Sequence, residues 1–406
     1  MATKNIFTKI CSSALITFAL LIPQSVFAQI EAVTPQNANS QQLTQNESAT
    51  GAPTPEEFQE LPPELLIPSE FLLGEIKSIE KQGVDEEMGT PMPYQILKVE
   101  LINGKNKGRI VQINHGSNVS IRETDKVEIG QSVVLAQVDT VKGSTYYIYD
   151  KYRLPPTLLV AVIFFALVIL MAGKKGFWSI IGLVVSVMVL YYFIVPGIIS
   201  GQNPLLISTI GALLICVCSM FLAHGFNKQT TLAFISTIIT LIAAAIFSII
   251  FVNLTRLTGA GTEEAFYLQF GDLEKLNLQG LLLGGIMIGV LGVLDDITTG
   301  QTAAVCEIHK ANPKLKFADL YKRGINVGRE HIASLVNTLV LAYAGASLPL
   351  FLIFHLNNSI PLWVNLNSEF IIEEIIRTLV GSTALVLAVP IATFIAARAL
   401  TQPRHA

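Results

Sequence analysis

Apolar residues along this chain recur in two different rhythms, and the change near position 153 divides it. Before that point they come in short runs, at 71–79, 94–102, 109–113, 127–138 and 145–148. Leu97, Val99 and Leu101 alternate with Lys98 and Glu100, as in a strand with one wet face. Turn chemistry separates the runs at Asn103-Gly104, Lys107-Gly108 and Ile129-Gly130. About five short strands predict a small β-barrel or sandwich, OB-like in size and strand number.

After Pro155-Pro156 the alternation gives way to unbroken apolar stretches of helical length, each close to the ~20 residues that cross a bilayer. Spans are expected at about 156–173, 177–196, 204–223, 231–252, 278–294, 332–355 and 374–397. The fold class is therefore an α-helical polytopic membrane protein of about seven spans, carrying an N-terminal exported β domain. Composition agrees: 51% of the 406 residues are hydrophobic and 14% charged, against about 25% charged in ordinary soluble domains. The net charge of −3 gives no reason to expect nucleic acid as a partner. The bilayer itself is the expected one.

The first residues set the direction of export. Lys4 and Lys9 precede the apolar run 10–22, and Val26-Phe27-Ala28 offers a small-residue cleavage site. Residues 1–28 thus read as a signal peptide, with an uncleaved anchor as the alternative; both put the chain from Gln29 onward outside the cytoplasm. Residues 29–66 are rich in Gln, Asn, Thr, Pro and Ser and read as a disordered tether. The β domain occupies 67–153 and the membrane domain 154–406. Lys174, Lys175, Lys228, Lys310, Lys314, Lys316, Lys322, Arg323, Arg329, Arg398 and Arg404 all fall on one side of the spans, whereas the opposite short loops hold Arg256 and Lys275. The positive-inside rule then places the C-terminus in the cytoplasm, in agreement with the leader. A bacterial plasma (inner) membrane suits both. Of the cysteines, none lies in the exported region, so no disulfide framework is expected there.

Candidate chemistry gathers between the fifth and sixth spans, where ionisable groups at the edge of hydrocarbon are expensive. Gly280/Gly284 and Gly285/Gly289 both have small-xxx-small spacing, and Gly285, Gly289 and Gly292 share one helical face, which lets a partner helix approach closely. Asp296 roughly continues that face and Asp295 flanks it. A short helix at about 298–309 would carry Gln301 and Glu307 towards the same mouth. Asn312 and Pro313 look like the start of an interfacial amphipathic helix that ends at Lys322-Arg323 before Gly324. In the sixth span His331, Ser334, Thr338, Ala342 and Gly345 form a narrow polar and small stripe, bordered by Asn337. Gly345 and Pro349 are hinge candidates, because proline leaves a carbonyl unbonded and crowds it. Gly381, Ala384, Ala388 and Ala392 repeat the small stripe in the seventh span, and Arg377 can pair with Glu373 and Glu374. The competing explanation is helix packing for the small stripes, the wetting of a span end for the acidic pair, and a structural ion pair at the interface for Arg377.

The stretches LDDITTGQTAAVCE and GREHIASLVNTLVLAYAGASLPL, with the glycine-rich span before them, resemble the YibE/F family of bacterial polytopic membrane proteins. The resemblance implies a shared membrane architecture and singles out Asp295, Asp296, Gln301, Glu307, Gly328, Arg329, His331, Asn337, Thr338, Tyr343, Gly345 and Pro349. Glu330 stands where relatives are expected to carry Asp. The resemblance implies no activity.

A permease with a polar site at the cytoplasmic mouth of the fifth to seventh spans is the leading expectation. Asp295, Asp296, Gln301, Glu307, Arg329, His331, Asn337, Thr338 and Tyr343 are its substrate or ion-path candidates. The rivals are an envelope sensor or assembly factor, with the β domain binding a protein partner, and a Mg-dependent enzyme acting on a phosphorylated lipid. No Walker A, HExxH, GxSxG or DDxxD pattern supports catalysis. No cofactor and no catalytic residue is expected, the metal ligands are undefined, and a homo-oligomer is a further candidate assembly.

Overall fold

The computed structural model describes residues 68–85, 92–116, 121–140, 143–269, 276–356 and 360–402. The expected signal peptide and almost all of the expected tether lie outside them. The described chain forms two compact units.

In the first unit, β1 (Glu70–Asp85), β2 (Met92–Leu101), β3 (Ile110–His115), β4 (Ser132–Thr140) and β5 (Gly143–Lys151) make one antiparallel sheet, in the order β3-β2-β1-β4-β5. The long β1 pairs with β4 through its first residues and with β2 through the rest. Its pairing slips at Ile76/Ser78 and Ile79/Lys81, and such bulges bend and twist a strand. The sheet curls into a half-barrel whose end strands β3 and β5 approach each other. Leu97, Val99 and Leu101 point into its core with Ile76, Ile113 and Leu135, as the alternation predicts.

The run 127–138 is not one strand. Val127 is held outside the ladder by the buried Gln95, whose Nε2 donates to Val127 O at 3.1 Å and whose Oε1 accepts from Val127 N at 2.9 Å. A side-chain amide therefore satisfies the backbone groups that a neighbouring strand would have bonded, and β4 begins only at Ser132. Gln95→Leu strips both partners from Val127 and is expected to cost about 2 kcal/mol. Hydrogen–deuterium exchange should find the Val127 amide deprotected; unchanged protection would contradict this. Next to it, Arg122 beside Asp125 holds that carboxyl down to about 2, so this clasp stays ionised throughout the physiological pH range.

The helical segments are α1 (Leu154–Ile199), α2 (Pro204–His224), α3 (Lys228–Leu254), α4 (Glu263–Gln269), α5 (Leu278–Ala311), α6 (Phe317–Ala346), α7 (Leu348–Leu356), α8 (Leu362–Leu366) and α9 (Glu369–Thr401). By length and composition α1, α2, α3, α5 and α9 can each cross a membrane. The first two expected spans lie within α1, joined at Gly173, whose φ of 56° and ψ of −133° interrupt the helical backbone. That conformation suits a residue without Cβ.

In the second unit α9 is packed against α3, α5 and α6. Gly381, Ala384, Ala388 and Ala392 are all buried, so the small stripe of the seventh span is a packing seam. Ile286, Met287, Leu294, Val380 and Leu385 complete the core between α5 and α9.

Two expected breaks do not occur. α5 does not end at the acidic pair but runs on to Ala311, so Asp295 and Asp296 lie mid-helix and no separate helix at 298–309 exists. Asn277 caps its start, and no proline interrupts it before Pro313. Asn312 ends α5 instead of starting α6, which begins at Phe317 and continues through Gly324 and Gly328. These glycines do not stop the helix; they let it approach its neighbours. A Cβ on Gly324 would stand 2.6 Å from Thr393 Cγ2, and one on Gly328 2.2 Å from Val389 Cγ1. Phe317, Leu320 and Tyr321 accordingly cluster with Val305, Ala396 and Ala397 of α5 and α9. The apolar side of the expected amphipathic segment therefore packs in part against α5 and α9.

Candidate functional site

Adjacent residues on an α-helix point about 100° apart, and the acidic pair is separated on this principle. Asp295 turns towards α2, where Ser219 Oγ donates to its Oδ2 at 3.0 Å. Its other oxygen, Oδ1, is hidden without a hydrogen-bond partner, as is the hydroxyl of Thr299 one turn on. Asp296 faces outward and is exposed. One turn from Asp295, Thr298 lies within 2.6 Å of the Thr237 hydroxyl and ties α5 to α3.

The glycines of α5 divide in the same way. Gly280 and Gly284 form the close contact: a Cβ on Gly284 would stand 2.4 Å from Ser208 Oγ of α2. The face expected to receive a partner helix is open instead. No atom lies within 4 Å of a Cβ built on Gly285 or Gly292, and Gly289 meets the Tyr343 hydroxyl at 3.5 Å. The physical reason is the helical turn: with Gly284 against α2, the next residue must look elsewhere.

The polar stripe of α6 is open as well. His331, Ser334, Asn337, Thr338, Ala342 and Gly345 are all exposed, as are Arg329 and Glu330. Tyr343 is half-buried. The helix stops at Ala346 and resumes at Leu348, so Gly345 and Pro349 flank an interruption at Ser347.

Gln301 is the buried member of the set. Its Nε2 donates to Gly324 O at 2.8 Å and to Thr393 Oγ1 at 2.7 Å, joining α5, α6 and α9 at one point. Gly328 presses on the same amide. Glu307 pairs with Lys310 at 2.6 Å on the exposed side of α5. Among the described residues, no hydrogen bond or ion pair joins Asp295, Asp296, Glu307, Arg329, His331 or Asn337 to another of these six. Asp296 on α5 and the stripe on α6 are each exposed. Nor do three His, Cys, Asp or Glu side chains converge as a metal would need, among the described residues.

A second polar constellation lies at the other end of α9. Glu369 Oε1 accepts from Thr258 N, from Thr258 Oγ1 at 2.7 Å and from Gly259 N at 3.0 Å. The buried Glu373 accepts from Gly261 N at 3.0 Å, leaving Arg377 to Glu374 at 3.5 Å. Sequence reasoning offered both Glu373 and Glu374 to Arg377, and the second pair forms; it missed the backbone amides of 258–261, which carry no side-chain signature. Ser219 and Thr393 were missed as well. The spacing of Gly324 and Gly328 did carry a signal, since two glycines four apart on a helix mark a close contact.

No curated protein and no solved structure matches this chain. The model of the YibE/F-like protein family matches residues 160–402. That stretch holds α2 to α9 with nearly all of α1, including the buried Gln301 junction and the open glycine face. By that match the chain belongs to the YibE/F-like family.

Proposed function

We propose that this protein is a permease of the bacterial inner membrane, with a polar path between α5 and α6. The single observation that carries the reading is the exposed row of His331, Ser334, Asn337 and Thr338 on α6, a helix long enough to continue into the apolar part of the fold. Such a row facing lipid is costly, so in a membrane it lines a wet cavity or meets another polar surface. Seven crossings result if α1 counts as two across Gly173 and α6–α7 supplies the sixth. The basic loops then put Asp296, Arg329 and the C-terminus on the cytoplasmic side, with the β unit outside. Asp296 binds a cation or a proton at the inner rim, and Arg329 or His331 balances it. The helix interruption at Ser347 gives α6 a place to bend during alternating access.

The β unit has the cyclic strand neighbours of an OB fold, and in this reading it docks an envelope protein. The metal-dependent enzyme is the weakest rival, because its ligand set does not converge among the described residues. The test is cation or proton flux into proteoliposomes under an imposed gradient. Asp296→Asn and His331→Ala are each expected to lower it at least tenfold. Flux that both substitutions leave unchanged removes these residues from the mechanism.

A further inference from the structure

Hydroxyls on the helices of the second unit commonly donate to the carbonyl one turn before them. Ser236, Thr240 and Ser248 of α3 do so at 2.7–2.8 Å. Thr298 of α5 does the same, with its Oγ1 2.8 Å from Leu294 O. Thr299, the next residue, does not: its Oγ1 is hidden and has no hydrogen-bond partner. The hydroxyl of Thr302, a side chain 0% exposed, is in the same state. One turn before Thr299, the Oδ1 of Asp295 is hidden and unbonded as well. The spacing i, i+4, i+7 puts these three side chains on one side of α5. Ser219 of α2 meets that side, its Oγ 3.0 Å from Asp295 Oδ2.

The geometry points to a binding site for a monovalent cation, Na+, between α5 and α2, with the Asp295 carboxylate as its charged ligand and the hydroxyls of Thr299 and Ser219 as neutral ones. A buried carboxylate is paired or coordinates a metal ion. Asp295 is not paired: among the described residues it makes no ion pair. The titratable groups around it are Asp296 on its own helix and Cys216 and His224 on α2, and none of them bonds to it. A proton on Oδ1 is shared with one further oxygen at most. A cation is met by several at once, and several hidden oxygens are what this side of α5 offers. Ser219 serves without moving, because a hydroxyl keeps acceptor lone pairs while it donates. Hard cations take oxygen ligands, and a single carboxylate balances a single positive charge. No three His, Cys, Asp or Glu side chains converge for a more highly charged metal, among the described residues. Asp296 is a separate group, exposed and turned about 100° away.

Naming Na+ as the coupling ion of transport rests on the permease reading above; the binding itself does not. The experiment is equilibrium binding of radiolabelled Na+ to the purified full chain in detergent, with choline chloride holding the ionic strength constant. Wild type is expected to bind Na+ saturably, and Na+ in place of choline should raise its melting temperature, since a ligand of the folded state stabilises it. Asp295→Asn should weaken binding at least tenfold and erase the thermal shift. Thr299→Val, which keeps the shape and drops the hydroxyl, should weaken binding at least threefold. If Asp295→Asn does not fold, Thr299→Val decides alone. No saturable binding, or binding that a folded Asp295→Asn or Thr299→Val variant leaves unchanged, would overturn the assignment. So would an infrared band of a protonated carboxyl in Na+-saturated wild type that Asp295→Asn lacks, because Asp295 would then hold a proton in place of the ion. Binding at Asp295 and flux through Asp296 are separate readouts, so the failure of one is distinguishable from the failure of the other.

Discussion

Gly328→Val is expected to abolish recovery of folded protein, the largest effect of any single substitution considered. A Cβ there stands 2.2 Å from Val389 Cγ1 and 3.1 Å from both polar atoms of the Gln301 amide. The first contact is closer than carbon atoms tolerate, and Val389 is buried in the seam of α9 with little room to retreat. Overpacking by one or two methyl groups costs about 1–3 kcal/mol in a tight core, and a branched side chain adds its own crowding. Gly328→Ala should therefore lower the melting temperature clearly, and Gly328→Val should leave only aggregated material on size-exclusion chromatography. Gly292→Ala is the control: its Cβ meets nothing within 4 Å, so no change is expected. Equal tolerance at 292 and 328 would mean that α6 does not cross α9 where described.

Gln301→Ala carries the second largest expected effect. The amide is 1% exposed and donates to two different helices, so its loss leaves Gly324 O and Thr393 Oγ1 without those bonds. The carbonyl of Gly324 can still accept within its own helix, and Thr393 still donates to Val389 O at 2.7 Å. The cost is then about 2–3 kcal/mol, less than full desolvation of both groups. Gln301→Glu should be worse than alanine: a carboxylate loses the donor that both partners require, and a buried unpaired charge is dearer than a small void. Thermal unfolding in detergent gives the order, wild type above alanine above glutamate. A glutamate variant as stable as wild type would contradict the donor role.

How far the sequence was legible depended on whether a feature was local. Alternation at 97–101 set the strand and its inward face, because the period of two is imposed by the pleat. Unbroken apolar length located the long helices for a similar reason. The joint at Gly173 was foreshadowed by Lys174-Lys175 between two apolar runs. Partners distant in sequence were harder. Gly285, Gly289 and Gly292 were expected to seat a neighbouring helix, but small residues mark permission for close approach and do not say which face takes it. Gly284, one residue away, takes it against Ser208. Gly324 looked like a helix end because that is glycine's commonest local use. Its actual use, contact with Thr393, depends on a residue 69 positions later. Glu373 looked like a partner for Arg377, whereas backbone amides of a distant loop claimed it.

The same limit applies to the candidate site. Asp295 and Asp296 were legible as an unusual pair, but their division between a Ser219 hydroxyl and an exposed position is a consequence of packing against α2. Asp296 and the α6 stripe are each exposed, so a polar path through them depends on water reaching both.

Thiol labelling of Asn337→Cys in native membranes tests this most directly. The background replaces Cys11, Cys216, Cys218 and Cys306 with alanine, and Val187→Cys on α1 serves as the apolar exposed reference. A membrane-impermeant, charged maleimide is expected to label Asn337→Cys at least tenfold faster than Val187→Cys, and excess reagent should not be needed. Labelling of both at the same slow rate would show that the stripe is not wet, and the polar path between α5 and α6 would be lost.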